Sequence, residues 1–198
     1  MSAVAIPRAE VAATWRLPDR GTVGMLSLII AESAVFTIFV VAYLFYVGKS
    51  LSGPTPRQVL ETPIFFTICL LSSSITMQVA SKALERGSLR AFLSLWLLTF
   101  LLGGLFLFGT GLEWRRLISE RGLTISTNLF GTTYYSLVGL HAFHVVVGLS
   151  LIGIVALFAL TGHVAREHSR RVGVLALYWH FVDVVWIVVF TVVYLIGR

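Results

Sequence analysis

A stretch near the end of the chain combines strong hydrophobicity with two proton-binding groups. Residues 178–190 read YWHFVDVVWIVVF, in which His180 and Asp183 are three positions apart and share one face of a helix. An imidazole N–H that donates to a carboxylate makes a charge-assisted hydrogen bond, and such groups titrate as a pair. We expect Asp183 to be stabilised by His180, by a basic or hydroxyl group on a neighbouring helix, or by loss of its charge.

A second pair of imidazoles occurs in GLHAFHVVVG, residues 139–148, where His141 and His144 share a helix face. Two such groups could bind a metal, whereas a bis-imidazole haem would take its second ligand from another helix, here His180. The chain has a single cysteine and few carboxylates at matching depth, which argues against zinc or a two-metal centre. We expect no metal, and imidazoles that bond backbone carbonyls or each other across helices.

A third acidic position, Glu32, lies well inside the first apolar run. An ionised carboxylate at the bilayer centre costs about 3 kcal/mol on insertion scales. Positions 32, 36, 39, 43 and 46 follow helical spacing, so Glu32 begins a stripe that is otherwise aromatic. Two interpretations stay open: a neutral or hydrogen-bonded carboxyl that fixes helix packing, or a group that exchanges protons.

Hydroxyl groups also occur within an apolar run. Ser72, Ser73 and Ser74 are followed by Thr76 and Gln78. Such residues offer hydrogen bonds between helices and allow close packing, and a pore lining is the less favoured interpretation.

The composition places these residues in a membrane protein. Hydrophobic residues make up 57% of the 198 and charged residues 12%, and the mean hydropathy is +0.90. Soluble domains are about 45–50% apolar and about 25% charged. No polar segment is long enough to build a soluble domain. The net charge of +6 is spread over short loops, which is typical of membrane topology and does not favour nucleic-acid binding.

Five apolar runs are long enough to cross a bilayer and do not alternate as barrel strands do. The sequence therefore predicts an all-α fold, a bundle of five transmembrane helices preceded by a cytoplasmic segment at 1–21. The transmembrane domain covers 22–198, with helices at about 23–47, 63–81, 91–112, 130–161 and 172–197.

The distribution of Lys and Arg predicts the orientation. The N-terminal segment and the loops 82–90 and 163–171 carry nine of these residues, and the opposite side carries six. By the positive-inside rule, the N-terminus is cytoplasmic and the C-terminus is outside.

Several motifs resemble subunit III of haem–copper terminal oxidases, and the resemblance extends over residues 22–197. Residues 178–190 are close to that family's Y-W-H-F-V-D-x-V-W signature. Residues 139–148 are similar to T-G-x-H-G-x-H-V-x-x-G, although Ala142 replaces the usual Gly. IIAESAVFTIFVVAYLFY, residues 29–46, resembles the first common helix and places Glu32 on the family's buried glutamate; EWRRL, residues 113–117, resembles the E-Y/W after the third helix.

The resemblance implies a subunit without a catalytic centre. It would bind no haem or copper, because these would belong to partner subunits. It would pack mainly on subunit I. Subunit II, a small subunit IV and membrane lipids, including a bound phospholipid, would be further neighbours. It would stabilise subunit I, support its proton uptake and protect the enzyme during turnover in a bacterial cytoplasmic membrane. A cytochrome c oxidase is favoured over a quinol oxidase.

The resemblance also assigns the candidate residues. A structural and proton-linked polar network would contain Glu32, His141, His144, His180 and Asp183. Candidate interface residues are Glu113, Trp114, Trp179 and Trp186. Trp179 and Trp186 flank Asp183, and lipid or the bundle interior are the alternative positions for them. The chain has five helices, as many bacterial members do, whereas mitochondrial-type members have seven.

Two other functions remain possible from the residues alone. One is a haem-b-binding membrane anchor of another respiratory complex, with His141 or His144 and His180 as axial ligands. The other is a proton or solute carrier in which Glu32 and Asp183 control passage.

Overall fold

The computed structural model describes residues 19–197, and within that range the fold is all-α, as predicted. The predicted cytoplasmic segment 1–21 lies almost entirely outside the described residues. The helices are α1 (Arg20–Tyr46), the short α2 (Pro56–Val59), α3 (Ile64–Glu85), α4 (Leu89–Ser119), α5 (Leu129–Leu160) and α6 (Ser169–Phe190). A 3₁₀ turn, Arg166–His168, precedes α6, and a π-helix, Thr191–Ile196, continues it.

Five of these helices are long and apolar enough to cross a membrane, namely α1, α3, α4, α5 and α6 with its flanking turns. The prediction of five spans is therefore confirmed. The largest difference concerns α4, which ends at Ser119 although its apolar run ends at about residue 112. Hydropathy marks the hydrocarbon layer, whereas a helix continues into the polar region until its chain turns away.

The α5 and α6 helices form the centre of the bundle and pack against each other. The α1 helix lies on one side, where it contacts both of them and buries only Phe36 and Tyr43. The α3 and α4 helices pack together on the other side, where α3 also contacts α6 and α4 also contacts α5. Side chains of α6 therefore reach α1, α3 and α5.

Two glycines allow the helices to approach around the indole of Trp179. A Cβ atom at Gly103 of α4 would lie 2.8 Å from the Trp179 ring, and one at Gly148 of α5 would lie equally close. Ordinary van der Waals contacts of a Cβ begin near 3.4 Å. Trp179 itself is 1% exposed, so the small residues leave the space that this indole fills.

The start of α5 is fixed to the loop that follows α1. Asn128 is the N-cap residue, and its side-chain oxygen accepts a hydrogen bond from the Gly131 N–H at 2.8 Å. The amide nitrogen of Asn128 donates to the carbonyls of Ser52 and Pro54 at 3.0 and 3.1 Å. One side chain thus caps a helix and holds a loop about 75 residues earlier in the chain.

Candidate functional site

Asp183 is held by a serine of a neighbouring helix. The hydroxyl of Ser74 in α3 hydrogen-bonds Asp183 Oδ2 at 2.5 Å and lies 2.8 Å from His180 Nδ1. Asp183 is 3% exposed. Of the stabilising groups expected for this carboxylate, the contact observed is the hydroxyl of a neighbouring helix, which lies between the acid and the imidazole.

The hydrogen count around Ser74 limits the protonation of its two partners to two patterns. A hydroxyl has a single hydrogen, so an ionised Asp183 that accepts it leaves the bond to His180 to an Nδ1–H that donates to Ser74 Oγ, whereas a protonated Asp183 that donates to Ser74 leaves the Ser74 hydrogen for His180 Nδ1. The other ring nitrogen of His180 lies 3.3 Å from Gln78 Oε1. Within residues 19–197, Asp183 Oδ1 is buried and has no hydrogen-bond partner.

Two further hydroxyl groups of α3 bind the indoles of α6. The Trp179 Nε1–H donates to Ser73 Oγ at 2.9 Å, and the Trp186 Nε1–H donates to Thr67 Oγ1 at 3.2 Å. Sequence analysis singled out the serine run for such bonds but did not place Ser74 or Thr67 in the site. The sequence signal for these bonds was a run of hydroxyl residues in an apolar helix. Which hydroxyl meets which side chain of α6 depends on how α3 and α6 pack, and the sequence does not show this.

The two tryptophans are not available to a partner subunit. Trp179 and Trp186 are each 1% exposed, so of the positions considered for them, an interface, lipid or the interior, they occupy the interior of this chain. Their N–H groups need acceptors, and the α3 hydroxyls supply these within the bundle. Glu113 and Trp114, named with them, are partly exposed.

Glu32 forms a separate pair with His144. Glu32 Oε2 lies 3.2 Å from His144 Nε2, and His144 Nδ1 lies 2.8 Å from the Leu140 carbonyl. The Nδ1 atom must donate to that carbonyl, so Nε2 can approach the carboxyl favourably only if a further proton lies on one of the two groups. The Glu32 side chain is 29% exposed, so this pair lies near the bundle surface.

His141 lies apart from both of these contacts. Its ring stacks on Trp186 with centroids 4.9 Å apart, and the edge of Phe106 meets it at 5.7 Å. His141 is 1% exposed, and neither ring nitrogen has a hydrogen-bond partner among the described residues. A bond to a backbone carbonyl, expected for both histidines, is thus formed by His144 and not by His141.

The five predicted polar residues therefore lie in three places. Glu32 pairs with His144 between α1 and α5, His180 and Asp183 meet at Ser74 between α6 and α3, and His141 lies in the aromatic core. Between residues 19 and 197, no three His, Cys, Asp or Glu side chains are grouped as metal ligands.

Sequence analysis did not identify a cluster of two tyrosines around Glu113. The Tyr194 hydroxyl lies 3.0 Å from both carboxylate oxygens of Glu113 and 3.4 Å from the Tyr134 hydroxyl. Tyr194 belongs to the π-helix, a form that is frequent at functional sites. Glu113 also lines an open cavity of about 330 Å³, where Arg116 and Glu61 form an ion pair at 2.5 Å.

Comparison with known proteins decides among the possible functions. Residues 18–198 match the family model described as cytochrome c oxidase subunit III. The chain belongs to this family. Nearly the whole length is included, so all five spanning helices and every polar residue described above lie within the family match.

Three relatives show how broad this subunit III family is. The chain is 34% identical over 168 residues to cytochrome c oxidase subunit 3 of Alkalihalophilus pseudofirmus, covering 84% of this chain and 82% of the relative. It is 40% identical over 184 residues to that of Synechocystis sp., covering 90% and 77%. It is 33% identical over 177 residues to cytochrome bo(3) ubiquinol oxidase subunit 3 of Pseudomonas aeruginosa, covering 88% and 84%.

Membership of the subunit III family resolves the main alternatives left open by the residues. The chain is a non-catalytic subunit III of a haem–copper oxidase and a multi-pass membrane protein, and it associates with other oxidase subunits. A haem-binding anchor is not favoured. In the structure, the ring nitrogens of His144 and His180 contact protein atoms.

Proposed function

We propose that this subunit III serves a cytochrome c oxidase in a bacterial cytoplasmic membrane, where it stabilises subunit I and supports its proton uptake. Residues 1–21 would lie in the cytoplasm and 22–198 would form the transmembrane domain, with the C-terminus outside. The names of the Alkalihalophilus and Synechocystis relatives support the cytochrome c type, and that of the Pseudomonas relative supports the quinol alternative.

One observation carries the structural role: polar side chains within the bundle connect neighbouring helices. Ser74 connects α3 to α6, and Glu32 with His144 connects α1 to α5. Interhelical hydrogen bonds in membranes contribute about 1 kcal/mol each. Several such bonds at fixed registers favour one arrangement of the bundle, and we propose that this gives subunit I a rigid surface.

The partners follow from the same proposal. Subunit I would be the main contact and would contain the haem and copper, and subunit II, a small subunit IV and lipids, including a bound phospholipid, would be further neighbours. Glu113 and Trp114 would lie near a partner. The α1 helix, which buries only two side chains in this chain, offers a long apolar surface to partners or lipid.

Deletion of this chain from the oxidase tests the role. We expect the oxidase to retain the haem of subunit I but to inactivate after fewer turnovers, because the rigid support is missing. Haem content by absorption and the decay of oxygen uptake measure the two effects, and plasmid-borne wild-type chain is the control. Loss of haem from subunit I, or an unchanged lifetime, would contradict the proposal.

The electron donor needs a separate measurement. Oxygen uptake by the purified complex should be faster with reduced cytochrome c than with ubiquinol. The reverse preference would assign the complex to the quinol type and leave the stabilising role in place.

A further inference from the structure

Four redox-active side chains form a continuous chain at one end of the bundle. The rings of Trp114 and Tyr135 are 5.3 Å apart, and those of Tyr135 and Tyr134 are 5.2 Å apart. The hydroxyl of Tyr134 then lies 3.4 Å from that of Tyr194. We call these four residues, from α4, α5 and the π-helix, the aromatic chain.

The phenols differ in their hydrogen-bond acceptors, and this difference determines which tyrosine can hold a radical. A tyrosine that loses an electron also releases its hydroxyl proton, so it needs a nearby base. The Tyr135 hydroxyl donates to the Leu123 carbonyl at 2.8 Å, and a carbonyl is a poor proton acceptor. The Tyr194 hydroxyl instead lies 3.0 Å from both oxygens of Glu113, and the hydroxyl of Tyr134, the neighbour of Tyr194 in the aromatic chain, also lies close to this carboxylate.

The two ends of the aromatic chain also differ in access. Tyr134 and Tyr194 are 0% and 1% exposed, so water and dissolved reductants do not reach their rings. Trp114 is partly exposed and lies near the end of α4, where the helix continues past the apolar run into the polar region. An oxidant at the membrane surface therefore meets Trp114 before it meets the tyrosines.

We propose that the aromatic chain is a radical trap that moves one oxidising equivalent from Trp114 to Tyr194. A peroxyl radical, of the class formed by lipid oxidation, takes one electron from Trp114 and becomes a hydroperoxide anion. An electron from Tyr194 refills Trp114 through Tyr135 and Tyr134.

The balance of this reaction is complete. The Tyr194 hydroxyl proton passes to the Glu113 carboxylate, which leaves a neutral tyrosyl radical, a carboxylic acid and the hydroperoxide anion. A quinol later returns one electron to Tyr194 through the same aromatic chain and becomes a semiquinone, and its released proton goes to the hydroperoxide anion. Glu113 gives its proton back to the Tyr194 oxygen.

Flash photo-oxidation of the purified full-length chain in detergent tests the trap. A water-soluble ruthenium tris(bipyridine) sensitiser with persulfate supplies the one-electron oxidant, and electron paramagnetic resonance measures the tyrosyl radical. We expect Trp114→Phe to lower the radical yield about tenfold and Tyr194→Phe to shorten the radical lifetime about tenfold. Glu113→Gln keeps an oxygen acceptor but removes the base, and should slow radical formation about tenfold.

Tyr46→Phe is the matched control, because Tyr46 is 37% exposed at the end of α1 and lies outside the aromatic chain. It should leave yield and lifetime unchanged. Equal radical yields in Trp114→Phe and Tyr46→Phe would overturn the proposal, as would an unchanged formation rate in Glu113→Gln, which preserves the size of the side chain. The measurement needs this chain alone, so its outcome is separate from the test of the oxidase role.

Discussion

At the scale of single residues, one hydroxyl contacts two titratable groups. Ser74 Oγ hydrogen-bonds Asp183 Oδ2 and His180 Nδ1, so a side chain of another helix supplies a partner to one oxygen of the acid and to the imidazole, whereas Asp183 Oδ1 has no partner among the described residues. Buried polar groups are costly chiefly when they lose their partner. The serine is therefore worth more than a single ordinary hydrogen bond.

Replacement of Ser74 by alanine should expose this cost. We expect Ser74→Ala to lower the free energy of unfolding by about 2 kcal/mol, because Asp183 and His180 both lose their bond to it. Thermal unfolding of the purified chain in detergent measures the change. Ser72→Ala is the control, since no hydrogen bond of the Ser72 side chain is seen among the described residues; equal losses in the two variants would refute the role of Ser74.

Glu32 allows the two interpretations of an intramembrane acid to be separated. If its role is to fix packing against His144, Glu32→Gln should keep most of the stability, whereas Glu32→Ala should lose about 1 kcal/mol. Thermal unfolding of both variants gives this comparison. Full stability in both variants, together with slower proton uptake by the oxidase, would instead favour a proton-exchanging group.

The residues also show how far sequence reasoning extends. Glu32, His144, His180 and Asp183 are recognisable as buried polar groups because charges in apolar runs need partners. Their partners are not, since Ser74 lies more than 100 positions from His180 and the serine run offers three candidates on different helix faces. The packing of α3 on α6 selects Ser74 from the three serines. For the same reason, the polar residues that were predicted to form one network lie in three separate places.

At the scale of elements, the glycines of α4 have opposite roles although they are adjacent. A Cβ at Gly103 would meet the Trp179 ring at 2.8 Å and Leu149 at 3.0 Å, whereas nothing lies within 4 Å of a Cβ at Gly104. Gly103 thus leaves the space beside α4 that Trp179 of α6 and Leu149 of α5 fill, and Gly104 only loosens the helix.

The matched pair Gly103→Ala and Gly104→Ala tests this difference. We expect Gly103→Ala to destabilise the chain by about 2 kcal/mol through overpacking against Trp179. Gly104→Ala should stabilise it by about 0.5 kcal/mol, because alanine favours the helix. Unfolding midpoints in detergent, followed by Trp fluorescence, measure the stability of both variants. An equal change in the two midpoints would show that the close approach of Gly103 to Trp179 is unimportant.

At the scale of the whole molecule, five spans follow from hydropathy alone, whereas their arrangement does not. Apolar runs record contact with hydrocarbon, and lipid-facing and helix-facing residues are equally apolar. The central position of α6 is visible only from its contacts with α1, α3 and α5.

The orientation of the molecule yields a direct prediction. With Cys69 replaced by serine, a cysteine at Ser126 should react with a membrane-impermeant maleimide in intact cells, and one at Ser88 should react only after lysis. Both serines are exposed in loops, so cysteines at the two positions are equally accessible to water. A difference in labelling therefore reports the side of the membrane on which each loop lies. The opposite labelling pattern would place the N-terminus outside.

Three hydroxyl groups of α3 meet partners on α6, a helix that is synthesised later than α3. Thr67 and Ser74 meet their α6 partners, and Ser73 accepts from Trp179, only when α6 has been inserted. Trp179 fills the space beside Gly103 at the same moment. A nascent chain interrupted before α6 thus presents unpaired hydroxyls and an empty groove to the bilayer. Insertion of α6 and maturation of the bundle become one event, which gives membrane proteases a physical criterion for discarding copies that lack this helix.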